Sequence, residues 1–194
     1  MSASSAQRVI REDHAALAAM LLSVGTLVDS GPGDDRSDFF ETVAAMLFYV
    51  DEFPEQRHHP TESNVLFPML LKAAPELHGA IQRLEMDHVA GEGRVRKLQH
   101  LLHAWQFLGD SRRASFSDAL GEYVRFYLNH MQVEERELLP IAAHKLTPAQ
   151  AAELDIAFEL IRDPLSGGMA DPVYDALFRR ITEHAHNPIG FGVA

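Results

Sequence analysis

The sequence predicts an all-α protein whose main part is an up-down four-helix bundle, followed by about two further helices. Two observations predict this class. Apolar residues recur at intervals of three and four along the chain, and no segment shows the alternating pattern of a half-buried strand. Short loops rich in Gly and Pro separate long helical stretches, an order that favours antiparallel neighbours in a bundle. We expect residues 1–145 to form the bundle and residues 146–194 to form a helical extension packed on or beside it.

Start and stop signals divide the chain into six expected helices. Ser37 or Asp38 is suited to cap the second of them. Pro54 and Pro60 interrupt that helix, so its later part should be kinked or restarted. Thr147 begins a capping box with proline at the first helical position, which starts the fifth. The expected helices are residues 5–29, 37–73, 75–108, 115–144, 147–162 and 172–184.

Composition excludes several classes of protein. At 194 residues the chain has the size of one domain with one core. The absence of cysteine excludes disulfides and thiolate metal sites. A formal net charge of -11 argues against a nucleic-acid partner, which requires clustered Lys and Arg. No apolar stretch is long enough to span a bilayer and no secretory leader is recognisable, so we expect a cytoplasmic protein without a membrane partner.

The most informative feature is a unit that occurs twice. Residues 58–68 and residues 130–140 each place a His and a Glu four residues apart, then close on two apolar residues and a proline. A further His lies well ahead of each stretch, directly after an Asp and behind a similar lead-in. Equivalent places in both halves therefore carry the same potential ligands, which are His14, His58, Glu62, His88, His130 and Glu134.

This pattern predicts a dinuclear metal site. Residues four apart share one face of a helix, so each His and Glu pair can hold one ion. A bundle that points four imidazoles and two carboxylates inward offers two ions two His each, together with bridging carboxylates. Oxygen and imidazole ligands in octahedral geometry suit iron or manganese, whereas zinc usually takes four ligands. Burying these groups without a metal would cost several kcal/mol for each unpaired group.

Four further residues are candidates with two interpretations each. His59 competes with His58 for the metal because Pro60 disturbs the helix, although His58 matches the repeat. Glu92 is either an additional ligand or a solvated helix residue. Tyr127 either donates a hydrogen bond at the site or belongs to the core. Gly91 either leaves space for a small ligand or permits close packing of helices.

The six repeated residues, with their surroundings over about Val9 to Pro140, resemble the hemerythrin-like, or HHE cation-binding, domains. The tail, including residues 163–165 and 187–190, is similar to an extension found in bacterial members. The resemblance implies a non-haem di-iron centre, oxo- or hydroxo-bridged, in a four-helix bundle. Two departures from the oxygen-carrying members are visible: Glu92 stands where they have a fifth His, and Glu134 follows His130 by four residues where they have an Asp at five.

The resemblance implies a protein that binds or senses a small molecule such as dioxygen or nitric oxide, or that handles iron. The alternative is a di-iron oxidoreductase acting on peroxide or nitric oxide, or an iron donor for iron-sulfur cluster repair. The repair proteins usually carry a cysteine-containing segment, which this chain lacks. Whether the protein is an enzyme, and whether it forms a homo-oligomer, stays open at this point.

Overall fold

The computed structural model describes residues 5–169 and 171–184, and these residues form helices and loops without a β-strand. The all-α class is therefore confirmed. The α-helical segments of the described part are α1 (Ser5–Ser30), α2 (Arg36–Val50), α3 (His59–Thr61), α4 (Phe67–Ala73), α5 (His78–Leu108), α6 (Arg113–Val133), α7 (Leu139–Lys145), α8 (Pro148–Leu160) and α9 (Asp175–His184).

Wider π-helical turns join several of these segments into longer helices. One long helix runs from α2 through α3 to α4, and another runs from α6 into α7. Together with α1 and α5 they make the four long helices of the bundle. The π-helical segments are Asp51–His58, Glu62–Leu66 and Glu134–Leu138, and short 3₁₀ turns cover Pro75–Leu77, Asp110–Arg112, Pro164–Ser166 and Pro172–Tyr174.

Helix ends follow local chemistry, with one difference from expectation. Asp35 caps α2 by accepting a hydrogen bond from the backbone N–H of Asp38 at 3.0 Å, so the cap lies two residues before Ser37. The expected capping box at Thr147 is present, because its side chain and that of Gln150 satisfy each other's backbone N–H groups.

The interior consists of two apolar clusters. One contains Trp105 and Tyr49. It lies at the end of the bundle where one loop connects α1 to α2 and another connects α5 to α6. The other contains Phe67 and Phe158. Along each long helix, the predicted ligands lie at or near the boundary between residues of the first cluster and residues of the second. The polar site is therefore enclosed by apolar packing on both sides.

The extension packs against the bundle. Helix α8 lies on α1 and inserts Leu154 and Phe158 into the second cluster, while α9 lies on α2 and inserts Ile181 into the first. Residues 187–190, which belong to the expected extension, lie outside the described residues. Among the described helices, none is long and apolar enough to cross a membrane.

Candidate metal centre

Both repeated Glu residues stand at the start of a π-helical turn. The N–H of Phe67 donates to the carbonyl of Glu62, and the N–H of Leu139 donates to the carbonyl of Glu134, each five residues back. A proline follows directly in each case, and proline lacks an N–H and clashes with the carbonyl four residues earlier. A wider turn accommodates that ring. The closing proline of the repeat thus explains why both copies contain the same local distortion.

A third π-helical turn explains the position of two consecutive histidines. Residues 51–58 form this turn around Pro54, whose carbonyl accepts the N–H of His59. Because a wider turn advances each residue by a smaller angle than an α-helix does, neighbouring side chains diverge less. His58 and His59 are accordingly both buried, at 5% and 4% exposure.

The potential ligands form two groups that share a carboxylate. The first, which we name the two-imidazole position, consists of His14, His58 and Glu62; the second, the three-imidazole position, consists of Glu62 with His59, His88 and His130. Within each group one nitrogen or oxygen atom per residue lies within 4.8 Å of the others.

Glu134 connects the same two positions from the opposite helix. Its carboxylate oxygens lie 3.1 Å from Nε2 of His14 and 3.7 Å from Nε2 of His130. Glu62 does the equivalent, with 3.1 Å to Nε2 of His58 and 3.4 Å to Nε2 of His88. Both carboxylates therefore reach one imidazole from each position, which is the placement required of bridging ligands.

Four of the five imidazoles form a hydrogen bond at Nδ1, and Nδ1 of His130 lies 3.5 Å from an Asp87 oxygen outside hydrogen-bond geometry. Partners of this kind fix the tautomer and the ring orientation of a metal-ligating His. The contacts are His14 with Glu135 at 3.0 Å, His58 with Asp13 at 3.1 Å, His59 with Glu55 at 3.1 Å, His88 with Ser63 at 3.0 Å and His130 with Asp87 at 3.5 Å.

Several atoms at the centre are buried without a hydrogen-bond partner. Among the described residues these atoms include Oε2 of Glu62, both carboxylate oxygens of Glu134, and Nε2 of His88 and of His130. Each of these atoms lies near a carboxylate oxygen or an imidazole nitrogen of another residue at the centre, but not in hydrogen-bond geometry. Leaving such groups unsatisfied is costly, and a cation between them would satisfy all of them at once. The donor set present therefore fits a pair of metal ions.

The electrostatics differ between the two positions. Burial alone would lower the pKa of His14, but the adjacent carboxylates of Glu134 and Glu135 outweigh it and raise that pKa to about 9. Burial and the neighbouring imidazoles of His88 and His130 hold the pKa of His59 well below its usual value. Without metal, the two-imidazole position thus retains a proton on His14 that an ion must displace, whereas His59 is already in its neutral, ligating form.

A buried network supports His59. The carboxylate of Glu55 contacts its Nδ1 and accepts hydrogen bonds from the hydroxyls of Tyr123, at 3.0 Å, and of Tyr127. Burial is the main cause that raises the pKa of Glu55 to about 7. A Cβ at Gly91 would overlap the Tyr127 hydroxyl and lie 2.8 Å from a Glu55 oxygen. The space beside Gly91 is therefore filled by this network.

The structure brings together all six residues of the repeat and adds His59, so that five imidazoles meet where the repeat supplies four. Tyr127 stacks on His59, with ring centroids 5.5 Å apart, and directs its hydroxyl to Glu55. Glu92 is partly exposed, pairs with Arg96 at 3.2 Å and belongs to neither group of potential ligands.

Sequence reasoning missed the residues that contact Nδ1. Two of them carried a signal, because Asp13 and Asp87 directly precede His14 and His88 in the matching lead-ins. Glu55 lies four residues before His59 and could have been found by the same helical spacing that identified the repeat. Ser63 and Glu135 carried no comparable signal.

Comparison with known proteins agrees with this geometry. Residues 5–142 match the family model described as the hemerythrin HHE cation-binding domain. Neither the curated proteins nor the solved structures contain a match. The matched region covers α1 to α7 nearly to its end and holds every residue of the candidate centre, so the chain belongs to the hemerythrin HHE cation-binding family.

Proposed function

We propose that this protein is a non-haem di-iron protein that binds a small molecule such as dioxygen or nitric oxide. The observation that carries the proposal is the pair of shared carboxylates, Glu62 and Glu134, which link the two-imidazole and the three-imidazole positions. Two ions that share these carboxylates as ligands would act as one dinuclear centre. Iron would supply reversible coordination of a small molecule and one-electron redox chemistry.

The ligand types favour iron over zinc. Counting both shared carboxylates, an ion at the two-imidazole position would have four protein ligands and an ion at the three-imidazole position would have five. The five-ligand position exceeds the tetrahedral set that zinc usually takes, and hard oxygens with imidazoles suit octahedral iron or manganese. The position with fewer protein ligands has more room for an exogenous molecule.

The surrounding residues orient the ligands and exclude bulk water. Asp13 and Glu55 hold the outer nitrogens of His58 and His59, so that their inner nitrogens stay available. The imidazoles and both bridging carboxylates are buried. A small molecule bound here is therefore separated from solvent, which protects a reactive complex against side reactions.

A metal count on anaerobically purified protein, followed by controlled exposure to oxygen, tests the proposal. We expect about two irons per chain and the visible absorption of a bridged diferric pair. Substoichiometric iron or a preference for zinc would contradict it. A persistent adduct with slow autoxidation supports a binding role, whereas repeated turnover of peroxide or nitric oxide would make the protein an enzyme.

A further inference from the structure

Asp13 is a buried carboxylate that connects the metal centre to the extension. One of its oxygens lies 3.1 Å from Nδ1 of His58, a candidate ligand of the two-imidazole position. The other oxygen accepts a hydrogen bond from the hydroxyl of Ser166. Ser166 lies outside the family-matched region, which ends at residue 142. The carboxylate that holds this ligand is therefore itself held by a residue that the hemerythrin domain does not contain.

The hydroxyl of Ser166 has two acceptors within reach. It lies 3.0 Å from the backbone carbonyl of Asp163 and closer to the carboxylate of Asp13. A hydroxyl donates a single hydrogen, and an ionised carboxylate is a stronger acceptor than a neutral carbonyl. The hydrogen is therefore directed to Asp13, where it restrains the rotation of that carboxylate.

A tight turn holds Ser166 in this place. The backbone N–H of Gly168 donates to the carbonyl of Asp163 at 2.9 Å and closes the turn. Gly167 has a φ of 105°, in the left-handed region that favours glycine. A Cβ at Gly168 would lie 2.0 Å from the carbonyl oxygen of Arg162, so this position requires glycine as well. The backbone of the turn thus sets the position of the hydroxyl.

Two contacts next to Ser166 dock the turn on the bundle. Leu165 is buried in the first apolar cluster. Arg162 donates to the carboxylate of Glu12 on α1 at 2.9 Å. The hydroxyl of Ser166 can reach Asp13 only while this part of the extension is docked.

We infer that Ser166 is a positioning residue for the metal centre, and that docking of the extension and metal binding at the two-imidazole position strengthen each other. The inference rests on the proposed function, because it requires an ion at Nε2 of His58. A His ligand binds a metal more tightly when an acceptor fixes its outer nitrogen. Asp13 is that acceptor, and Ser166 fixes Asp13. Coupling between two binding events is reciprocal, so an ion stabilises the docked extension by the factor by which docking raises its affinity.

Chelator competition on the iron-loaded full chain tests the effect on affinity. The first iron to leave should be the one at the two-imidazole position, which has fewer protein ligands. Ser166→Ala should weaken that ion about five- to tenfold and leave the second ion within about twofold of the unaltered protein. Adding Ser166→Ala to Asp13→Asn should cause no further loss, because Ser166 acts through that carboxylate.

Thr182→Ala is the matched control. Thr182 is an exposed residue of the extension, and its hydroxyl donates to the carbonyl of Arg179 within α9. The variant removes a hydroxyl as Ser166→Ala does, but at a place without contact to Asp13. Both ions should bind to it as they bind to the unaltered protein.

Amide hydrogen exchange tests the reciprocal effect. Iron should raise the protection of residues 165–168 about five- to tenfold in the unaltered protein and by less than about twofold in Ser166→Ala. A Ser166 with a purely structural role would instead lower this protection equally with and without iron.

Three results would each overturn the inference alone. They are a first-step affinity of Ser166→Ala within about twofold of the unaltered protein, an equal weakening of both ions, and an identical response of exchange to iron in both proteins. An unaltered protein that takes up no iron pair overturns the proposed function and the inference with it.

Discussion

The two-imidazole and three-imidazole positions differ in what surrounds them. His14 and His58 face a small cavity and retain hydrogen bonds to Glu135 and Asp13 on their outer side. At the other position, rings fill the space. The ring of His59 stacks on His88 at 4.3 Å between centroids and on Tyr127 at 5.5 Å.

A nearly symmetric sequence repeat has therefore produced an asymmetric centre. The extra imidazole comes from His59, which has no counterpart in the second copy because Met131 stands after His130. Its burial depends on the π-helical turn before it. One position thereby has five candidate protein ligands, and the other has four.

Removing a shared carboxylate should have the largest effect, because it affects both positions. We expect Glu62→Ala to lower iron content from about two per chain to below one, since an ion at either position loses an anionic ligand. Metal analysis of protein purified with iron measures this. The control is Glu92→Ala, which removes a partly exposed Glu paired with Arg96 and should retain the full content. Equal losses in both variants would mean that Glu62 is not shared.

The two neighbouring histidines should differ in their effect. We expect His58→Ala to leave about one iron per chain, because a single imidazole remains at the two-imidazole position. His59→Ala should keep more iron, since His88 and His130 remain. His100→Ala, an exposed His on the same helix as His88, provides the baseline. If His59→Ala loses more iron than His58→Ala, the assignment of the positions is wrong.

The two lead-in aspartates should also be unequal. Asp13→Asn is expected to weaken iron binding at the two-imidazole position by roughly 10- to 100-fold, the usual effect of losing a carboxylate that orients a His ligand. Asp87→Asn should cost less, because Asp87 is 31% exposed and 3.5 Å from its His, compared with 7% and 3.1 Å for Asp13. Competition with a chelator measures both affinities. A larger effect at Asp87 would contradict the role given to burial.

The smallest change concerns the packing around the three-imidazole position. Gly91→Ala should destabilise the metal-free protein by about 1–3 kcal/mol, because the new methyl group meets Tyr127 and Glu55. Gly93→Ala, two residues away with open space around it, should stabilise by up to about 1 kcal/mol through helix propensity. Urea unfolding measures both. A neutral Gly91→Ala would show that the network yields easily.

Much of this molecule is predictable from the chain. The helix boundaries follow from caps, glycines and prolines, and the capping box at Thr147 is present as expected. The six repeated ligands follow from helical spacing, because residues four apart share a face in any regular helix. Glu92 shows where this reasoning ends: its spacing from His88 equals that of a ligand pair, yet it pairs with Arg96 at the surface. Spacing defines a face, but only packing decides whether that face is buried.

The fold class, the family and the two His and Glu pairs are predictable from the sequence alone, because helical periodicity and ligand chemistry are local properties. The tertiary structure is needed to show that His59 joins the centre, that Asp13 and Glu55 contact the outer nitrogens, and that Ile161 lines the cavity beside His58. These outcomes depend on a π-helical turn and on contacts between residues far apart in the chain. The extension after residue 142 supplies part of the wall of a cavity beside the candidate ligands, all of which lie before it in the sequence.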